Sequence, residues 1–321
     1  MMRAKFRRYN PETDFDLIRD FLVDTYSMFD EPINWRLERW NYARYFVAPM
    51  LANYDQDEPR PEDCLAAIRL WEELTGVWEN EAGEIVGVAN IEHPDPSHPD
   101  WGEAFFQRHP DYAFLLPEML DYAEEHLRNQ ETNRLHFYIY DYDVQLQTLA
   151  QQRGYQQYKD HEAADSVFAV HDDLPVPTLP EGYAIQSMAD NNDLERRRKA
   201  FGLGFNHPDP KEWPSLLSYQ ELQEAPDYRR DLDLYVVAPD GEHAAFCIVW
   251  WDERNRLARL EPVGTVPHHR RKGLAKAVVL EAIRRAAALG AEKVVVGAGL
   301  GFYTTIGFEI KYVSRLWVKQ F

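Results

Sequence analysis

Between Val263 and Ala275 the chain reads VGTVPHHRRKGLA: an apolar strand-like run that passes through a proline, two histidines and three consecutive cations into a helical pattern. Amide groups at a helix start lack intrahelical acceptors, and the helix dipole adds partial positive charge there. Gly273 and Ala275 let a bulky anion approach that backbone closely. Arg270, Arg271 and Lys272 supply charge-assisted donors, each worth roughly 1.5 to 3 kcal/mol when well placed. A diphosphate is the kind of group such a turn can hold, on the amides from Arg270 through Leu274 and Ala275.

That turn needs a strand to deliver it and a helix to receive it. The residues predict a strand over Leu257–Val266 and an amphipathic helix over Lys272–Leu289, capped by Gly290. A short buried strand follows at Lys293–Val296. Upstream, strands at 183–188, 234–238 and 244–251 alternate with helices near 193–205 and 213–224, and Asp240-Gly241 marks a tight hairpin turn. A last helix precedes Gly307, and an apolar strand at Lys311–Val318 ends the pattern. The order is a mixed α/β sheet in which one strand feeds an anion-facing helix start.

Arg270-x-x-Gly273-x-Ala275 resembles the Q/R-x-x-G-x-G/A signature of GNAT acetyltransferases. A V-x-x-x-P run, Val263–Pro267, precedes it, and Phe302-Tyr303-x-x-Ile306-Gly307-Phe308 is similar to the family's F-Y-x-x-(L/I)-G-F element. The resemblance covers about residues 180–321. It implies acetyl-CoA as co-substrate and no metal, with the cofactor held by Val263, Gly264, Thr265, Val266 and the Arg270–Ala275 turn. It also implies Tyr303 as the acid that protonates the departing thiolate, and Glu261 as the base that takes the acceptor's proton.

The residues fit that chemistry. Gly264 inside a strand suggests a bulge, which would free amides near Thr265 and Val266 to polarise a thioester carbonyl. Period-2 alternation puts Glu261 on one face with Val263 and Thr265. His268 and His269 lie on the cofactor turn and are weaker candidates for the base. Trp250, Trp251, Tyr219 and Tyr228 either line an acceptor pocket or pack the core. One departure stands out: Gly297–Gly301 lacks the asparagine that many family members place before the aromatic pair. The expected reaction is acetylation of a small-molecule amine. Acetylation of protein N-termini or lysines, and CoA binding without catalysis, are the alternatives.

Bulk properties narrow the partners. The chain has 321 residues and a net charge of −19. Residues 1–175 carry 15 Lys+Arg against 35 Asp+Glu, leaving 20 against 19 in the remainder. Such acidity argues against nucleic acid, which needs a basic footprint. No long apolar run predicts a membrane span and no apolar leader follows Met2, so a cytoplasmic protein is expected, monomer or homodimer. Cys64 and Cys247 suggest neither a disulfide nor a cysteine metal site.

The proline-rich stretch His171–Gly182 reads as a connection between a domain at 1–175 and one at 180–321. The first half looks like a worn copy of the second: Pro110 falls over Pro267, and Gly154-Tyr155 over Gly307-Phe308. Its chemistry is gone, because Ala113, Leu115, Leu116 and Glu118 replace Arg270, Lys272, Gly273 and Ala275, and Ala150 replaces Tyr303. The expected fold is therefore α/β, two GNAT-like domains, each a mixed, mostly antiparallel twisted sheet flanked by helices. In this reading the first domain is degenerate, binds no CoA and walls the acceptor cleft. Ile91–Phe106, rich in His, Pro and Asp, is expected as a surface loop.

Overall fold

The computed structural model describes residues 2–52, 60–94, 98 and 101–321. They form two compact units, one comprising Met1–Ala52, Cys64–Ala164 and Tyr312–Phe321, the other built on Asp165–Lys311. The last strand of the chain thus returns to the first unit.

In the first unit β1 (Ala4–Arg8), β2 (Gly76–Asn80), β3 (Ile85–Ile91) and β4 (Ala104–Arg108) make an antiparallel sheet in that order. Strand β5 (Arg134–Tyr140) pairs antiparallel with the chain's end, from Ser314↔Tyr140 to Gln320↔Arg134. Helices α1 (Asp14–Tyr26), α2 (Leu37–Tyr42), α3 (Ala48–Ala52), α4 (Pro61–Glu73), α5 (Leu116–Tyr122) and α6 (Val144–Gln152) complete the unit. Its core is aromatic, with Trp40, Trp71 and Trp78 buried and each indole N–H satisfied, by the Phe15 carbonyl, the Ile91 carbonyl and the Glu118 carboxylate. Ile91–Phe106 is not all loop. Ile91 closes β3 and Ala104–Phe106 opens β4, because Ile91, Ala104 and Phe106 are buried in the core; residues 95–97, 99 and 100 lie outside the described residues.

Strand β6 (Gln156–Ala169) carries the chain into the second unit. There β7 (Ala184–Ser187), β8 (Asp233–Val237), β9 (His243–Asp252) and β10 (Leu257–Thr265) pair antiparallel in order. β11 (Lys293–Val296) runs parallel to β10 and antiparallel to residues 166–169. Helix α7 (Leu194–Gly204) and α8 (Leu216–Gln223) follow β7; α9 (Leu274–Ala288) makes the crossover between the parallel strands that such a pair requires. α10 (Gly301–Thr304) precedes β12 (Glu309–Gln320). α9 buries Leu274, Ala277, Val278, Val279, Ala282, Ile283 and Ala286, an apolar stripe at helical spacing that fixes the helix against the sheet. No helix among the described residues is long and apolar enough to cross a membrane.

Candidate active site

The site grows from where β10 and β11 part. Their pairing runs from Leu257↔Lys293 to Leu260↔Val296, while β10 continues to Thr265. On its other side β10 stays paired with β9, and the Val266 N–H donates to the Ala244 carbonyl at 3.0 Å. Bonded and non-bonded pairs alternate along an antiparallel ladder. The Gly264↔Phe246 pair is therefore bonded, and the amides of Val263 and Thr265 point to the edge that β11 has left. Val266 is thereby corrected as an amide donor to a ligand, since its N–H belongs to the sheet.

The bulge sits elsewhere than expected. The register shifts between Leu260 and Val263, around Pro262, whose nitrogen has no hydrogen to give the ladder. Gly264 is in register, and its reason is space: a Cβ there would lie 2.3 Å from Phe246 Cζ. The extra residue also breaks the alternation that put Glu261 on one face with Val263; Leu260 and Val263 are the pair that stand opposite Val249 and Cys247.

Beyond Val266 the chain turns through Pro267–His269 and enters α9 at Gly273, with φ of 66° at Arg271 and 81° at Gly273. The first ladder bond of the helix runs from the Ala277 N–H to the Gly273 carbonyl, and no side chain caps the helix start. The amides of Leu274, Ala275 and Lys276 therefore lack intrahelical acceptors. A Cβ built on Gly273 meets nothing within 4 Å, so this helix start faces open space. The three cations play different parts. Arg270 braces the turn, donating to the Thr265 carbonyl at 3.0 Å, the Gly204 carbonyl at 3.0 Å and Asn206 Oδ1 at 2.8 Å. Lys272 donates to the Tyr183 hydroxyl at 3.0 Å. Arg271 is exposed. Leu274 is buried in the core, so only its backbone faces the turn.

His268 and His269 both turn toward one carboxylate, their Nε2 atoms 2.6 and 3.0 Å from Glu242 Oε2. Lys199 takes the other oxygen at 3.0 Å. Burial works to raise the Glu242 pKa, but Lys199 and the two imidazoles outweigh it and hold it down at about 2. His269 is tied again through Nδ1 to the Tyr183 hydroxyl at 3.0 Å.

Tyr303 lies on α10, its ring packed on Phe302 and Phe308. Its side chain is buried, yet its hydroxyl finds no hydrogen-bond partner among the described residues. Burial, then the neighbouring Cys247 and Glu261, push its pKa up, so the phenol keeps its proton. Glu261 and Cys247 thus each lie close enough to act on Tyr303. Glu261 lies 3.5 Å from Arg259 Nε, and Arg259 is held by Asp165 at 2.8 Å. The glycine-rich stretch has a part here, because a Cβ on Gly297 would fall 2.4 Å from the Arg259 guanidinium.

Sequence reasoning missed both buried ionic groups. Besides Asp165–Arg259–Glu261, the unit contains Arg197 and Asp233, each 0% exposed, with Nε 3.0 Å from Oδ1. Tyr219 accepts from Arg197 at 3.1 Å and Tyr228 donates to Asp233 at 2.9 Å. Tyr219 is a core residue, and Tyr228 is half-buried. Trp250 is also core, its indole N–H on the Glu261 carbonyl at 2.8 Å. The available signal was the single charge at Asp233 and at Arg259 among apolar strand residues.

The first unit repeats the element order of the second. Helical turns over Pro110–Leu115 and then α5 stand where Pro267–His269 and α9 stand in the second. Gly154 and Gly307 both have positive φ, followed by buried Tyr155 and Phe308. Glu118 at the start of α5 accepts the Trp78 indole N–H at 2.9 Å.

Comparison with known proteins agrees with this geometry. The acetyltransferase (GNAT) family profile matches residues 198–308. No curated protein matches the sequence. Among solved structures, the fold is similar to a GCN5-related N-acetyltransferase from Sphaerobacter thermophilus, with TM-score 0.57 and 18% identity over 99% of this chain and 95% of that one. A tandem GNAT protein from the clavulanic acid biosynthesis pathway gives TM-score 0.58 and 15% identity over 99% and 98%. The GCN5-related glucosamine N-acetyltransferase region of a fungal multi-domain β-N-acetylglucosaminidase gives TM-score 0.58 and 16% identity, with this chain covering 99% of itself but 38% of that protein. Residues 198–308 thus match the acetyltransferase (GNAT) family profile, and the fold of the whole chain is similar to that of a tandem GNAT protein.

Proposed function

We propose that the second unit transfers an acetyl group from acetyl-CoA to the amine of a small molecule. One observation carries the reading: within a single stretch, residues 263–276, an open strand edge with outward amides leads into an uncapped helix start facing open space. An extended arm with amide groups suits the first, by adding as a strand would. A diphosphate suits the second, with Arg271 and Lys272 beside it. Arg270 serves that site by holding the turn.

The acceptor nitrogen, once neutral, attacks the thioester carbonyl; the C–N bond forms and the C–S bond breaks. The Val263 and Thr265 amides lie on the edge where the oxygen's growing charge needs donors. Tyr303 gives its proton to the departing thiolate, which suits a phenol kept protonated by burial and free of protein partners. Glu261 takes the proton lost by the amine, directly or through water.

The test is CoA release from acetyl-CoA with polyamines, amino sugars and aminoglycosides, run beside a peptide panel. Acetylation of at least one small amine is expected, and Tyr303→Phe should lower turnover by about 10²- to 10⁴-fold with acetyl-CoA affinity nearly unchanged. Release with peptides alone would move the acceptor to protein. Intact acetyl-CoA binding with no release to any amine would defeat the catalytic reading.

A further inference from the structure

Outside the proposed reaction, one cluster has the composition of an ion site. The hairpin turn between β8 and β9 ends at Glu242, and the Val266–Ala244 bond sets the end of β10 against it. The turn Pro267–His269 then brings two adjacent imidazoles to the same carboxylate, with ring centroids 4.3 Å apart. One nitrogen from each ring and one carboxylate oxygen all lie within 4.8 Å of one another.

We propose that Glu242, His268 and His269 bind one zinc-type divalent ion, with the fourth position open to water. Two imidazoles and a carboxylate are borderline donors suited to zinc, at about 2.0 to 2.2 Å each. In a tetrahedron with such bonds, donor atoms stand about 3.3 Å apart. The imidazole-to-carboxylate distances of 2.6 and 3.0 Å therefore need to widen by about 0.7 and about 0.3 Å, and His268, which has the larger shift to make, is 60% exposed and free to move outward.

The surroundings orient the donors. His269 Nδ1 bonds the Tyr183 hydroxyl, and Lys272 donates to the same oxygen at 3.0 Å. With Nδ1 protonated and donating to Tyr183, the Nε2 lone pair of His269 faces the ion; this is the outer-shell partner that metal-binding histidines use. Lys199, 3.0 Å from Glu242 Oε1, is the ion's competitor for negative charge. A bound ion would fasten the hairpin to the turn that leads into α9.

The experiment is calorimetric titration of the full chain, freed of metal by chelation and desalting, with zinc chloride, followed by cobalt(II) and its visible absorption. One zinc per chain is expected, together with a cobalt spectrum of low-coordinate type. His268→Ala, at an exposed position, should weaken binding by on the order of tenfold or more without moving the metal-free unfolding temperature. Glu242→Gln should do the same, and Lys199→Met should tighten binding. Absence of saturable zinc binding would overturn the proposal, as would unchanged stoichiometry and affinity in both His268→Ala and Glu242→Gln.

Discussion

Gly273→Asp separates the anion site from the fold that carries it. Gly273 has φ of 81° and a Cβ there would touch nothing within 4 Å, so the folded protein meets conformational cost without a clash. That cost is roughly 1 to 2 kcal/mol for an L-residue in the left-handed region, and aspartate is among the residues that tolerate it best. A carboxylate at a helix start recovers about 0.3 to 1 kcal/mol from the dipole, and loss of glycine's freedom in the unfolded chain returns about 0.4 to 1 kcal/mol. The sum is close to zero, so the unfolding temperature should move by no more than about 4 °C. The ligand meets the opposite sign. Two like charges 4 Å apart repel by about 4 kcal/mol at an effective dielectric constant near 20, a factor of about a thousand in affinity. Calorimetric titration with acetyl-CoA, run beside thermal unfolding, reads both quantities. Affinity within about threefold of wild type would refute the placement of the diphosphate at this helix start.

Three further outcomes follow from the packing. Asp233→Asn leaves the Arg197 charge buried without its counter-ion and should cost about 3 to 5 kcal/mol in urea unfolding, while the double change to Arg197→Met and Asp233→Leu should cost less than the single one; a single-variant cost below about 1 kcal/mol would show that the pair is not held as ions. Gly264→Ala drives a methyl into the Phe246 ring and should cost about 1 to 3 kcal/mol, partly recovered by adding Phe246→Leu, and strictly additive effects would contradict the contact. Burial first, then the nearby Arg197, holds His243 down at about 4, below its ordinary 6.5. Its neutral form therefore contributes stability that is present above pH 6.5 and lost as pH falls toward 4, up to roughly 3 kcal/mol. His243→Phe, keeping the stack on Tyr235, should flatten stability against pH in that window, and an unaltered slope would assign the acid sensitivity elsewhere.

Local patterns made much of the second unit legible. Lys293–Val296 is a strand at those bounds, Asp240-Gly241 sits in the β8–β9 hairpin with Gly241 at φ of 85°, and the α9 stripe follows helical spacing. Each depends on residues near in sequence. The misses depend on partners far away. Nothing near Gly264 announces that Phe246 must fit against it, so a glycine in a strand read as a bulge when it was a space requirement. Nothing near Trp317 says that it pairs with Phe137, 180 positions earlier, since an apolar alternating strand suits either unit equally. Arg259 and Asp165 show the same limit, because each is an isolated charge in sequence and a pair only in space.

The signature arginine makes the general point about the site. Read along the chain, Arg270 is the first of three cations and belongs with the phosphate donors. In the fold its guanidinium is committed to the carbonyls of Thr265 and Gly204 and to Asn206, joining the end of β10 to the end of α7. A guanidinium suits that task because its fixed fork can satisfy several acceptors at once. In the proposed site the positive character offered to an anion then comes from the amides of α9 and from Arg271 and Lys272, which are local to the turn. Arg270 determines where those amides point, and Arg197, buried between α7 and β8, determines where Gly204 stands to receive it. The proposed chemistry is written in thirteen consecutive residues, but their geometry is set by a helix some sixty positions earlier, which a spacing motif does not contain.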